Sequence, residues 1–337
     1  MTRITIEDVA KEAKISTATV SRVIHNNGYV SKKSRNIILS AIKKLGYVPN
    51  KVASGLRSQK TNIIGHVMGL SSFNPLSARY ADAIHEVFEK AGYHVLTVLL
   101  RGSGGCEQTI FDDLMGQMVD AIIINAIYTS ENDIISRVVA QGVPVVMIER
   151  FRDISGIDII NINNLEGAAT ATRHLIANGH LKIAFIGVYP GYGAVEKQRF
   201  AGFKQTMDYA GLEVPEHFVH LTSDYTIDCG YRVMESIYYN GDIPTALFTT
   251  SDLLACGALQ SLYKHNIKVP DDISIVGYDN TLSRSGAPPF SSIEMHPEMI
   301  GEAALKMIEE RNELSFKETK QFNITPTLID RNSVITV

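Results

Sequence analysis

Apolar residues at the start of the chain recur three and four apart. Ile6, Val9, Ala10 and Ala13 share one helical face, and Thr5 ahead of Glu7 and Asp8 supplies an N-cap and an acidic first turn. The spacing predicts a helix over Ile6 to Ala13. Ser16 caps a second helix whose Val20, Val23 and Ile24 point inward, and only Lys14 and Ile15 separate the two. That short connection is what a helix-turn-helix requires. Ser31 opens a third helix, with Ile37, Ile38, Ala41, Ile42 and Leu45 as its expected buried stripe and Gly46 as its stop. From Asn62 onward the pattern changes. Strand-like runs at Ile63–Leu70, His94–Leu100, Ala121–Asn125, Val143–Ile148, Ile157–Ile162, Ile183–Val188, Phe218–Leu221, Ala246–Thr249 and Ile273–Tyr278 alternate with amphipathic stretches. One such stretch carries Tyr80, Ala81, Ile84, Val87, Phe88 and Ala91 and stops at Gly92; another carries Phe200, Phe203, Met207 and Ala210 and stops at Gly211. This is the pattern of βαβ units, parallel sheets covered on both faces. So many strands exceed one mononucleotide-binding half, so two similar halves with a crevice between the carboxyl ends of their strands are expected.

On the second helix Thr17, Ala18, Ser21, Arg22 and His25 fall opposite the apolar stripe. Small residues there let a helix sink into a major groove, where methyl groups of Thr17 or Ala18 meet a thymine methyl and Arg22 bonds guanine O6 and N7. The hydroxyls of Ser16, Thr19 and Ser21 suit phosphates. Two plainer readings stay open: Arg22 touching phosphate alone, and a helical trio used for protein contacts. Further on, Asn50 can cap a turn or two with Val52, Ala53 and Leu56 on one side, interrupted by Gly55. So short a helix is marginal alone. It reads either as a linker or as an element ordered by DNA, with Leu56 as a wedge between base steps.

Composition and charge sharpen this picture. At 337 residues with 45% hydrophobic content, the chain exceeds what one core usually holds. Its longest apolar runs, Asp120 to Ala126 and Val143 to Ile148, are too short to cross a bilayer, so no membrane partner is expected. The start has no apolar signal region, and Cys106, Cys229 and Cys256 form no disulfide framework or zinc pattern, so a cytoplasmic location is expected. Residues 1–60 carry 12 Lys+Arg against Glu7, Asp8 and Glu12, a balance of +9, whereas the remainder carries 20 against 33. A basic head on an acidic body points to nucleic acid or another anionic surface contacted by the head. Catalytic patterns fail one by one. Glu196 stands where a dinucleotide fingerprint beginning at Gly191 needs glycine, and Gly102-Ser103-Gly104-Gly105 lacks the Lys of a phosphate loop. His217 and His220, three apart on an expected strand, point to opposite faces and cannot chelate one metal. No catalytic residue, metal or cofactor is expected.

These residues carry a resemblance to the lac repressor (LacI/GalR) family of bacterial transcription regulators. The head matches through Ile6-Glu7-Asp8-Val9-Ala10, Ser16-Thr17-Ala18-Thr19-Val20-Ser21-Arg22-Val23, Val30-Ser31 and Leu45-Gly46-Tyr47-Val48-Pro49-Asn50. The body matches through Asn178-Gly179-His180 to Gly187, Arg199-Phe200-Ala201-Gly202-Phe203, Asp252 to Ala258, and Val269-Pro270-Asp271-Asp272 to Asp279. The resemblance implies a three-helix helix-turn-helix head, a hinge helix, and an α/β core of two doubly wound parallel-sheet subdomains of the periplasmic-binding-protein-like type I kind. The implied divisions are a DNA-binding domain over 1–49, a hinge or linker over 50–60, an N-subdomain over 61–162 plus about 293–322, and a C-subdomain over 163–292 plus about 323–337.

It also implies a homodimer on a pseudo-palindromic operator in double-stranded DNA, located in the bacterial cytoplasm and with the nucleoid when bound. The candidate DNA contacts are Thr5, Ser16, Thr17, Ala18, Thr19, Ser21, Arg22, Asn50, Ala53 and Leu56. The candidate effector contacts are Arg199 and Asp279 first, then Tyr225, Asp252, Ser251, Glu149, Ser72 and Asn74. An arginine and a carboxylate facing a crevice suit hydrogen bonds to vicinal hydroxyls. Plainer roles stand beside these: a turn for Asp279, a staple before a helix capped by Thr226 for Tyr225, an N-cap for Ser251 or Asp252, and a pair with Arg150 for Glu149. The expected function is an effector-controlled repressor released by a small sugar or sugar derivative. The alternatives are a sugar-binding module and a corepressor-dependent regulator of purine-type or protein-coregulated kind.

Overall fold

A computed structural model of the chain describes residues 4–25, 27–47, 60–69, 75–100, 106–125, 132–149, 154–189, 193–314 and 318–337. These fall into two compact units, Met1–Thr61 and Asn62–Val337. The first is built of α1 (Ile6–Ala13), α2 (Thr17–Ile24) and α3 (Lys32–Leu45). Thr5 and Asp8 form a reciprocal capping box at the start of α1, and Lys14 ends that helix in the left-handed region at φ 54°. Ser16 and Ser31 accept from the backbone N–H of Thr19 and Ser34 and so cap α2 and α3. Val9, Ala10, Ala13, Val20, Val23, Ile38 and Ala41 form the shared core. One expectation fails. Ile37 is 41% exposed, because the inward stripe of α3 runs through Ile38, Ala41, Ile42 and Leu45 and leaves Ile37 at its edge.

The second unit contains two six-stranded sheets. In sheet one, β1 (Ile63–Gly69), β2 (His94–Leu100), β3 (Ala121–Asn125), β4 (Val145–Ile148), β5 (Asp158–Ile162) and β11 (Gln321–Ile324) run in the order β11-β5-β4-β3-β1-β2, all parallel. In sheet two, β6 (Ile183–Val188), β7 (Val219–Thr222), β8 (Ala246–Thr249), β9 (Ser274–Tyr278), β10 (Ser291–Glu294) and β12 (Thr327–Ile329) run in the order β12-β10-β9-β8-β6-β7. Only β12 is antiparallel to its neighbour there. Helices α4 (Pro75–Lys90), α5 (Cys106–Gly116), α6 (Asn132–Ala140) and α11 (Pro297–Leu314) belong with sheet one. Helices α7 (Asn164–Ala177), α8 (Ala194–Tyr209), α9 (Ile227–Asn240) and α10 (Asp252–Lys264) belong with sheet two. Both sheets are doubly wound, as the β–α alternation requires.

Three strands escaped the sequence pattern. β10, β11 and β12 are three or four residues long and carry Ser291, Ser292, Glu294, Gln321, Asn323 and Thr327, so no apolar run marks them. The chain therefore passes between the sheets after β5, again after β10, and again after β11. His217 lies in a short 3-10 turn, Glu216–Phe218, ahead of β7 and not on the strand, and it pairs with Asp242 at 2.9 Å. One continuous apolar cluster joins Ile64, Tyr80, Ile84 and Phe88 of the first half to Phe185, Phe203, Phe248 and Tyr278 of the second. Separate clusters fill the outer faces under α5 and α6 and under α9 and α10.

Candidate DNA interface and ligand crevice

On α2 the residues Thr17, Ala18, Arg22 and His25 are exposed and Ser21 is half-buried, while Val20 and Val23 are buried beneath them. The outward face therefore presents small side chains at the helix N-terminus and one guanidinium a turn later. The Ser16 and Thr19 hydroxyls bond each other at 2.9 Å, and Thr5 donates its hydroxyl to Asp8 at 2.9 Å. These three are thus partly engaged in capping, although each hydroxyl oxygen keeps further hydrogen-bonding capacity. Asn50, Ala53 and Leu56 lie outside the described residues.

The second unit gathers a polar cluster from both halves. Arg199, on α8, is 3% exposed. Its Nε donates to Asn164 Oδ1 at 2.9 Å and its Nη1 to the Thr250 carbonyl at 2.7 Å, and the guanidinium lies 3.9 Å over the Tyr278 ring. Asp279 Oδ1 stands 3.4 Å from Arg199 Nη1, an ion pair without hydrogen-bond alignment, so this buried oxygen makes no hydrogen bond among the described residues. Asn164 also donates to Glu149 Oε1 at 2.9 Å, and Tyr80 donates to Glu149 Oε2 at 3.4 Å. Tyr225 donates its hydroxyl to Glu196 at 3.2 Å.

Backbone geometry aims two of these carboxylates. Glu149 follows β4 at φ 56° and Asp279 follows β9 at φ 90°, conformations unfavourable for residues with a Cβ. Such strain persists where the surroundings over-determine it, commonly at ligand sites. Burial pushes the Asp279 carboxyl up to about 7, with Asp252 and Glu149 adding to the rise and Arg199 opposing it. The Arg199 guanidinium stays protonated, so Asp279 is the member of the pair that titrates. Burial likewise raises Glu149 and, more strongly, the Tyr80 and Tyr225 phenols.

Ser251 and Asp252 also hold the backbone around the cluster. Ser251 caps α10 by accepting from Leu253 N–H at 3.0 Å. Asp252 is fully buried; one oxygen accepts the N–H groups of Thr281, Leu282 and Ser283, and the other accepts the Ser292 hydroxyl at 2.6 Å. Its carboxylate holds the loop that follows Asp279. Ser72 and Asn74 lie outside the described residues, as does Arg150. The sequence reading missed Asn164, Thr250 and Tyr278 as partners of Arg199, and Tyr80 as a partner of Glu149. Tyr80 and Tyr278 sit in apolar runs that hide their hydroxyls, and nothing local marks Asn164 or Thr250. Among the described residues no cluster of three metal-ligating side chains occurs, and no helix is long and apolar enough to cross a membrane.

Comparison with known proteins agrees with this arrangement. Residues 5–50 match the model of bacterial regulatory proteins of the lacI family, and residues 172–334 match a periplasmic binding protein-like domain. The chain is 31% identical to the HTH-type transcriptional regulator DegA of Bacillus subtilis, over 98% of this chain and 97% of that protein. It is 30% identical to the HTH-type transcriptional repressor PurR of Histophilus somni, over 99% of each. Among solved structures, the lac repressor dimer bound to operator and the anti-inducer ONPF superimposes with a TM-score of 0.83 at 26% identity, covering 99% of this chain and 100% of that one. The complex of the transcriptional regulator CelR with cellobiose gives 0.71 at 27% identity, covering 98% and 100%.

Proposed function

The chain belongs to the lacI family of bacterial regulatory proteins, and from that premise we propose that it is a repressor controlled by a small molecule held in the crevice of its core. It binds a pseudo-palindromic operator as a dimer, in the cytoplasm and on the nucleoid, one head to each half-site. The exposed α2 face is the observation that carries this reading: small residues at the helix N-terminus, Arg22 a turn later, and a basic surround. Arg22 reads guanine, the hydroxyls of Thr5, Ser16, Thr19 and Ser21 position the backbone, and Asn50, Ala53 and Leu56 act at the minor groove. The divisions of the chain at 49, 60, 162 and about 292 and 322 are part of the same proposal.

In the crevice, Arg199, Asp279, Glu149, Tyr225, Ser72 and Asn74 contact the effector, with Ser251 and Asp252 beside them also holding the surrounding backbone. The pairing of a buried guanidinium with a buried, unsatisfied carboxylate oxygen supports a ligand rich in hydroxyl groups, a sugar or sugar derivative that releases the operator. A second reading, corepression by a purine-type ligand, draws on the same cluster. The Asp279 carboxyl, pushed up to about 7 by burial, can donate to a ring nitrogen, and Tyr225 offers an aromatic face.

Selection of DNA from a random pool with the full chain tests the reading. A pseudo-palindromic sequence is expected, and Arg22→Ala should weaken binding to it by about 1–3 kcal/mol while leaving binding to scrambled DNA nearly unchanged. Equal losses on both sequences would reduce Arg22 to a phosphate contact.

A further inference from the structure

One arginine joins the two halves of the core outside the ligand cluster. Arg79 lies on α4, which packs on sheet one. Its Nη1 donates to the carbonyls of Asp279 at 3.0 Å and Asn280 at 3.1 Å, and its Nη2 to Glu294 Oε2 at 3.0 Å. All three acceptors belong to the sheet-two half: Glu294 ends β10, and Asp279 and Asn280 follow β9. Asp279 and Asn280 both hold positive φ, 90° and 48°.

The 279–283 loop is equally bound from its own side. Asp252 takes the N–H groups of residues 281–283, the Ser292 hydroxyl accepts from Asn280 N–H at 3.1 Å, and Arg331 donates to Asn280 Oδ1 at 2.6 Å. Asn280 in turn donates to the same Glu294 oxygen, at 2.6 Å, that Arg79 engages. Burial works against ionisation of Glu294, but these donors outweigh it and hold its carboxyl below the usual range. The loop therefore presents the Asp279 side chain to Arg199 and its carbonyls to Arg79 on α4. Any movement of one half against the other must break charge-assisted bonds to Arg79 or drag the loop along.

We propose that Arg79 is a positioning residue that fixes the 279–283 loop of one half to α4 of the other, and so sets the relation of the halves on which operator affinity depends. The proposal rests on the repressor reading for its operator consequence, and on the loop geometry alone for its mechanical one. The test compares Arg79→Ala and Arg79→Lys in the full chain. Its probes are the duplex that the wild-type chain selects, a scrambled duplex, and amide hydrogen exchange across residues 280–283. Arg79→Ala should speed exchange in that loop at least tenfold and shift the operator dissociation constant at least fivefold, with the scrambled duplex within twofold of wild type. Arg79→Lys, which keeps a cationic donor, should return most of both effects. Glu294→Gln, which keeps size but loses charge, should move both readouts in the same direction by less, and it serves where Arg79→Ala fails to fold. A variant that lowers the melting temperature but leaves exchange and operator affinity unchanged overturns the proposal. A wild-type chain that selects no operator removes the repressor reading and the operator consequence with it. Unchanged exchange in a chain that does select one removes the Arg79 role alone.

Discussion

His66 stands on β1 with its ring fully buried, and neither ring nitrogen has a hydrogen-bond partner among the described residues. Burial, and secondarily the nearby His85, holds its pKa down at about 4. The folded chain thus keeps the ring neutral, whereas the unfolded chain takes up a proton near pH 6.5. Stability contributed by the neutral ring is present above pH 6.5 and lost as pH falls towards 4, on the order of 3 kcal/mol over the window. His66→Leu should flatten the fall in melting temperature between pH 6.5 and 4, and parallel slopes would contradict this. Asp279 runs the other way. Its folded pKa is raised to about 7, so the favourable state is the protonated one, present below pH 4 and lost as pH rises through 7. Relative to wild type, the melting temperature of Asp279→Asn should climb from pH 4 to pH 8; a constant difference would show that Asp279 is ionised throughout. At this scale Arg199 and Asp279 were legible in the sequence only through family resemblance. The bonds of Arg199 to Asn164 and Thr250 span 35 and 51 residues, and no local spacing encodes such pairs.

Elements were easier to read where one physical signal dominated. The caps Thr5, Ser16 and Ser31 stand where the helices begin, because a side-chain oxygen there satisfies an otherwise unpaired N–H. The interior strands declared themselves by continuous apolar runs, since both of their faces are covered. β10 did not, because its polar side chains bond within the fold: Ser291 to Asp330, Ser292 to Asp252 and Glu294 to Arg79. Helix crossings were equally silent. α9 and α10 approach so closely that a Cβ on Gly257 would strike the Ile227 carbonyl, and one on Gly230 would strike the Leu254 carbonyl. Backbone cannot yield as a flexible side chain can, so Gly257→Ala should cost about 3 kcal/mol, the upper end of ordinary overpacking. For a core of this size that is a drop of roughly 6–12 °C in melting temperature. A drop under about 2 °C would mean that the two helices separate freely.

For the molecule as a whole, charge and pattern carried the organisation. A head with 12 Lys+Arg against three carboxylates precedes an acidic α/β body, and the two compact units divide at Thr61. The passage between sheets after β5 lies between two strands that the apolar pattern marks, whereas those after β10 and β11 depend on the short polar strands β10, β11 and β12, which the pattern does not mark. In an effector-controlled repressor, ligand and operator affect each other through the core. A thermal-shift survey of the full chain against sugars, sugar acids, sugar phosphates and purines supplies the ligand. Saturation to 100 times the dissociation constant adds about 2.7 kcal/mol, roughly 5–10 °C here. The decisive measurement is then the operator affinity of the full chain with and without that ligand, together with the ligand affinity with and without operator. Coupling requires that both change by the same factor, about 5- to 150-fold. A ligand that binds and stabilises the chain while operator affinity stays constant would show that the two sites are uncoupled.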